Sequence, residues 1–166
     1  PDYELVGCIG MGSYGDVWLA RNALGRYDAV TVVYRDRFEH ARPYEREFEG
    51  IRRYEPVSRK YQSQVALLHV GRDPEDRYYY YAIELADDVE RGQDITPESY
   101  RPRPLETELR QRGHLPVGEC VELGLALTRA LEQLHTEGLI HRDIKPGNII
   151  WVGGVPKLAD LGLVAA

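Results

Sequence analysis

The stretch Ile9 to Trp18, IGMGSYGDVW, puts three glycines within six residues, between two segments that read as strands. Residues 3–9 (YELVGCI) lead into it and residues 15–21 (GDVWLAR) lead out, both rich in β-branched and aromatic side chains. A glycine turn between two strands closes an antiparallel hairpin. A dinucleotide fingerprint would need the same glycines between a strand and a helix, so that reading is excluded. A turn this poor in side chains also lets backbone N–H groups come close to phosphate oxygens.

The chain continues in the same style. Asn22 to Arg26 makes a turn and 27–34 a third strand; the spacing of Tyr44, Phe48 and Ile51 predicts a helix over Pro43 to Tyr54, weakened by Gly50. Strands follow near 65–70 and 78–85, split by the turn GRDPEDR, with the tyrosine run read as strand packing. Residues 86–104 are polar, acidic and proline-containing, which suits a connecting loop. A short amphipathic helix follows at 105–112. A longer one spans Val117 to Glu137, with Val121, Leu125, Leu127, Leu131 and Leu134 expected on its buried side. Short strands near 149–152 and 156–159 flank Gly153-Gly154. A small antiparallel sheet with one helix, followed by a mainly helical half, is an α+β arrangement.

Composition narrows the function. At 166 residues and 43% hydrophobic, the chain can bury the core of one domain or two small lobes. A net charge of −6 argues against a nucleic-acid surface. No apolar run approaches the roughly 20 residues that span a bilayer. Cys8 and Cys120 are too few for a disulfide framework and lack metal-site spacing, so reduced, structural cysteines and a cytoplasmic location are expected. A start at Pro1 suggests a piece of something longer. The only lysines are Lys60, Lys145 and Lys157, in a chain that otherwise uses arginine. A lysine kept at 145 suits a point charge at a phosphate, although chance retention explains it equally well.

Gly10 to Val17 spells G-x-G-x-x-G-x-V, a weak signal alone. The strong signal is HRDIKPGN, His141 to Asn148, directly after the long helix, with DLG at Asp160 to Gly162. With these motifs in this order the chain resembles the protein kinase family, and its HRDIKP form is similar to serine/threonine kinases of the bacterial type. The resemblance covers the whole chain but only the front of such a domain. It implies a protein-kinase-like, truncated fold, with residues 1–86 as the sheet lobe and hinge and 87–166 as part of the helical lobe.

The resemblance also implies chemistry. ATP and Mg²⁺ would be the cofactors and a protein serine or threonine the acceptor. Asp143 would orient or deprotonate the attacking hydroxyl, Lys145 would bridge Asp143 and the γ-phosphate, and Asn148 and Asp160 would hold Mg²⁺. His141 would pack and hydrogen-bond in the core. Gly10, Gly12 and Gly15 would cradle the phosphates; Val17 and Ala29 would roof the adenine, Ile150 floor it and Ile9 edge it. Ile83 would be the gatekeeper, with the backbone of Glu84 and Ala86 meeting the adenine edge.

Two departures matter. The family carries A-x-K on its third strand, and its lysine pairs the phosphates with a helix glutamate; here the residues are Ala29-Val30-Thr31. Glu47 is the best candidate for that glutamate, ahead of Glu45 and Glu49. No basic residue lies in the glycine turn, and Arg35 stands about 13 Å farther along the strand than Thr31. The sequence also stops shortly after Gly162, so apolar faces of both later helices are expected to be uncovered, awaiting the remainder of a kinase domain. A serine/threonine protein kinase impaired at Thr31 is therefore weighed against a pseudokinase, a nucleotide-binding or interaction module without catalysis.

Overall fold

The computed structural model describes residues 3–160. Strands β1 (Tyr3–Met11), β2 (Gly15–Asn22), β3 (Tyr27–Tyr34), β4 (Leu67–Arg72) and β5 (Tyr78–Glu84) form one antiparallel sheet in the order β1-β2-β3-β5-β4. Helix α1 (Ala41–Lys60) packs on one face of it. Helices α2 (Leu105–Arg112) and α3 (Val117–Thr136) and a hairpin of β6 (Ile149–Val152) and β7 (Val155–Leu158) complete the fold. No helix among the described residues is long and apolar enough to cross a membrane.

Alternation along the strands sorts their side chains. Ala29, Val33, Tyr79, Tyr81 and Ile83 face α1 and the main core, whereas Val30 and Ala82 join Ala20 in a smaller cluster on the opposite face. Helix α1 outruns its predicted span of 43–54 at both ends and passes through Gly50 and Pro56. Its buried stripe of Tyr44, Ile51, Tyr54 and Val57 continues past the point where propensity falters, and packing carries the helix onward. The Tyr54 hydroxyl donates to Val65 O at 2.7 Å, and Leu67 N donates to Ser58 Oγ at 3.1 Å, so the helix end is tied to β4.

In the helical part, Ala130 and Leu134 of α3 are buried with Leu105, Leu139, Ile149 and Leu158. The predicted buried side of α3 needs correction. Val121 and Leu125 are 56% and 55% exposed, while Leu127 and Leu131 are partly buried. Apolar residues occupy more of the α3 surface than its partners cover, and periodicity does not say which stripe finds one. Cys8 and Cys120 are free and exposed, so they are not the core residues expected of structural cysteines.

Several contacts join the two parts. Gln64, fully buried, donates through Nε2 to Ala130 O at 2.7 Å. Lys60 pairs with Glu137 at 2.5 Å, and buried Lys157 on β7 pairs with Glu84 at the end of β5. The expected loop at 86–104 is irregular but tightly fastened. Asp87 accepts the N–H groups of Gly153 and Gly154, each at 2.8 Å, across the β6–β7 turn. Asp88 accepts those of Glu90, Arg91 and Arg101 at 2.9, 2.9 and 2.8 Å. Both carboxylates are buried, and these backbone donors stabilise their charge.

Candidate functional site

The loop between α3 and β6 brings its polar residues to one point. The Lys145 ammonium donates to Asp143 Oδ2 at 2.6 Å. Asn148 Nδ2 donates to Asp143 O and to Asp143 Oδ2, both at 2.9 Å, and lies 3.4 Å from Asp160 Oδ2. A single amide thus gathers Asp143 and Asp160, which stand 17 positions apart in sequence. The hydrogen bond from Lys145, aided by that from Asn148, holds the Asp143 carboxyl below the usual carboxylate range, and the same pairing raises Lys145.

Local backbone explains why the loop holds this shape. Pro146 opens a single 3₁₀ turn, Pro146–Asn148, in which Asn148 N donates to Lys145 O at 2.9 Å. Ala159 N donates to Asn148 O at 2.8 Å, setting Asp160 beside the turn. His141 is buried, with Nε2 2.8 Å from Ala159 O and Nδ1 facing Asp143 N at 3.4 Å. A neutral ring protonated on Nε2 satisfies both contacts. Arg142, just before Asp143, and Asp160 itself have positive φ angles of 67° and 66°, so the backbone at both acids is held in the left-handed region. Leu161 and Gly162 of the DLG motif lie outside the described residues.

The oxygen set suits a hard cation. With its amide nitrogen engaged, Asn148 keeps Oδ1 free to coordinate, and Asp160 adds a carboxylate next to it. One carboxylate and one amide leave most ligand positions to phosphate and water, the usual manner of Mg²⁺ binding. No cluster of three or more metal-binding side chains occurs among the described residues.

The sheet carries the other residues expected to meet a nucleotide. Gly12 N donates to Gly15 O at 2.8 Å to close the glycine turn after Gly10. A Cβ on Gly15 would lie 2.5 Å from Val32 O, so only glycine lets β2 return this close to β3. Ile9 sits at a register shift between Cys8 and Gly10, and Val17 pairs with Thr31. Ala29, buried, pairs with Ile83, while Ile150 is half-buried on β6. Glu84 and Ala86 lie where the chain leaves β5 for the helical part. The Glu84 carboxylate is taken by Ala66 N at 2.9 Å and by Lys157, and Ala86 O accepts from the Tyr100 hydroxyl at 2.9 Å.

Thr31 lies on the α1-facing side of β3, opposite Tyr81 on β5. Glu47 on α1 points into the same region, with Oε2 3.5 Å from the Tyr79 hydroxyl. Burial, reinforced by the nearby charge of Asp160, pushes the Glu47 carboxyl up to about 7. Of the runners-up, Glu45 pairs with Arg72 and Glu49 with Arg52 and Arg53, both on the exposed side of the helix.

Sequence reasoning missed one basic residue at the glycine turn. Arg37, not Arg35, reaches it, pairing with Asp16 at 2.8 Å. It also missed Asp87 and the Lys157–Glu84 pair. None has a local pattern, since each contact spans 21 residues or more. The scarcity of lysine was the one available hint, and it applied to Lys157 as much as to Lys145.

Comparison with known proteins identifies the family. The protein kinase domain matches residues 3–166. A probable serine/threonine-protein kinase of Clostridium perfringens is 28% identical over 97% of this chain and 21% of its own length. The serine/threonine-protein kinase AfsK of Streptomyces griseus is 30% identical over 98% of this chain and 18% of its own. PknA of Mycobacterium tuberculosis is 30% identical over 99% of this chain and 36% of its own. The chain thus spans about a fifth to a third of the length of these relatives. With the match running from β1 through Asp160, the chain belongs to the protein kinase domain family.

Proposed function

We infer that this chain is the nucleotide-binding and catalytic-loop portion of a serine/threonine protein kinase, with residues 1–86 and 87–166 forming the two walls of the ATP site. The observation that carries this reading is the convergence of Lys145 and Asn148 on Asp143, with Asp160 beside Asn148. Phosphoryl transfer asks for positioning and charge neutralisation, and these four side chains supply both. Asp143, kept ionised by Lys145, accepts the hydrogen bond of a serine or threonine hydroxyl. Lys145 offers a point charge to the transferred phosphoryl group. Asn148 and Asp160 would hold Mg²⁺, which would supply charge neutralisation at the phosphates. Gly10, Gly12 and Gly15 leave room for the phosphates, and Val17, Ala29, Ile9 and Ile150 enclose the adenine. We assign the protein to the cytoplasm, where ATP is available and exposed thiols stay reduced.

Thr31 slows this reaction. Losing one preorganised charge aimed at the phosphates costs about 10²–10³ in rate. Among the described residues Glu47 makes no ion pair, and its carboxyl is pushed up to about 7, an arrangement that also favours the second reading, a nucleotide-binding module without catalysis. Two measurements test both readings. Millimolar Mg-ATP should raise the melting temperature, and no shift would sink nucleotide binding altogether. Slow phosphorylation of a serine/threonine peptide by the intact protein, abolished by Asp143→Asn, supports the kinase; binding without any such transfer supports the module.

A further inference from the structure

Arg37 ends the single 3₁₀ turn that follows β3, and its guanidinium touches both arms of the glycine turn. On the returning arm, Nη1 donates to Asp16 Oδ1 at 2.9 Å and Nη2 to Asp16 Oδ2 at 2.8 Å. On the outgoing arm, Nη1 reaches Gly12 O at 3.3 Å. The guanidinium also lies over the Tyr34 ring, 4.5 Å from its centroid, and Tyr34 N donates to Tyr14 O at 3.1 Å. A fork of five donors can hold two strands of a turn in this way; an ammonium cannot.

A second contact ties the tip. The Tyr14 ring stacks on Phe38 with centroids 4.4 Å apart and planes 19° apart. Phe38 is buried and meets Tyr44 of α1 edge-on at 5.5 Å. Tyr44 packs on Tyr79 at 5.1 Å, and the Tyr79 hydroxyl faces Glu47. The glycine turn and α1 are therefore joined through side chains without using position 31.

We propose that Arg37 is a positioning residue for the nucleotide: its bidentate bond to Asp16, with the Tyr14–Phe38 stack, holds the glycine turn at a set height above the phosphates and couples it to α1. This rests on the nucleotide-site reading above. A six-residue turn with three glycines otherwise loses much conformational freedom when a ligand orders it. Clamping both arms removes part of that cost before the ligand arrives. Because Asp16 neutralises it, Arg37 acts through the turn and is not itself the phosphate-binding cation.

Calorimetric titration of Mg-ATP into the intact protein tests this, using Arg37→Gln, Asp16→Asn, the double variant and Arg37→Lys. The clamp predicts that each of the first two weakens binding about three- to tenfold, with the double variant no worse than either alone. Arg37→Lys, keeping one bond of the fork, should fall between Arg37→Gln and wild type. Melting temperatures without nucleotide should stay within about 2 °C of wild type for these surface changes. Unchanged affinity in Arg37→Gln would overturn the proposal. So would tighter binding in Asp16→Asn, because a released guanidinium would then be serving the phosphates directly. If the wild-type protein binds no Mg-ATP, the nucleotide-site reading itself fails, and the clamp as a nucleotide-positioning device falls with it.

Discussion

Glu47 on α1 lies close enough to Asp160, beyond β7, to feel its charge, which adds to burial in pushing the Glu47 carboxyl up to about 7. Tyr79 and Tyr81 line the same region, and Thr31 supplies no charge to it. Two acids thus lie near Thr31, the position proposed to lack a phosphate-binding cation.

Thr31→Lys should supply the cation. The new ammonium would lie on the α1-facing side of β3, restore the ionised form of Glu47 and raise phosphoryl transfer by the intact protein about 100-fold. Peptide phosphorylation rates for the two proteins check this. Equal rates would mean that charge at position 31 is not what limits transfer.

The Glu47 carboxyl also gives stability a pH dependence. In the fold it keeps its proton up to about 7, whereas the unfolded carboxyl releases it near 4.5. Between those values the folded state binds more protons, so stability falls as pH rises through the window and the loss is complete above it. The charge of Asp160 adds to the effect, while the hydrogen bond from Tyr79 and the charge of Arg46 oppose part of it. Partial solvent screening leaves a loss on the order of 1–2 kcal/mol. Urea unfolding of metal-free protein at pH 5 and pH 8 should show this slope, and Glu47→Gln should flatten it.

Asp143→Asn should separate binding from chemistry. The amide keeps the shape of the site but cannot pair with Lys145 as a charge, so transfer should fall about 10²–10⁴-fold. Nucleotide affinity should change less than about threefold if, as proposed, Asp143 serves the acceptor hydroxyl and not the nucleotide. Single-turnover phosphorylation and calorimetry on one preparation give both numbers. A matched loss in affinity would assign Asp143 to nucleotide binding instead.

Lys157→Met tests the join between the two parts. Lys157 and Glu84 have side chains only 10% and 22% exposed, so removing one partner strands the other charge. The expected destabilisation is about 3 kcal/mol, read as a lower urea midpoint. Glu84→Gln should cost less, because the amide oxygen still accepts from Ala66 N.

Much of this protein was legible in the chain itself. Three glycines between strand segments marked a hairpin, and the tyrosine run marked a packed strand, although four identical residues in a row did not say that Tyr79 and Tyr81 are the buried ones. The run from His141 to Asn148 is local enough that its own turn brings Lys145 and Asn148 onto Asp143. The extent of α1 was not legible, because Gly50 and Pro56 lower propensity while the packing of Tyr54 and Val57 restores it. Nor was the covered side of α3, where Val121 and Leu134 carry the same apolar signal but only Leu134 meets a partner.

By itself the sequence determined the order of elements, the local shape of the catalytic loop and the absence of a lysine at position 31. These depend on side-chain chemistry and on neighbours a few residues apart. Only the tertiary structure decided that Arg37 holds the glycine turn, that Asp87 caps the Gly153-Gly154 turn and that Glu47 confronts Asp160. Two of these are hydrogen-bonded contacts between residues 21 and 66 positions apart, and the third is a charge effect across 113 positions; their strength depends on burial and on the direction of a fork or carboxylate. Those quantities arise when the sheet, α1 and the helical part pack together, and no stretch of the chain carries them alone.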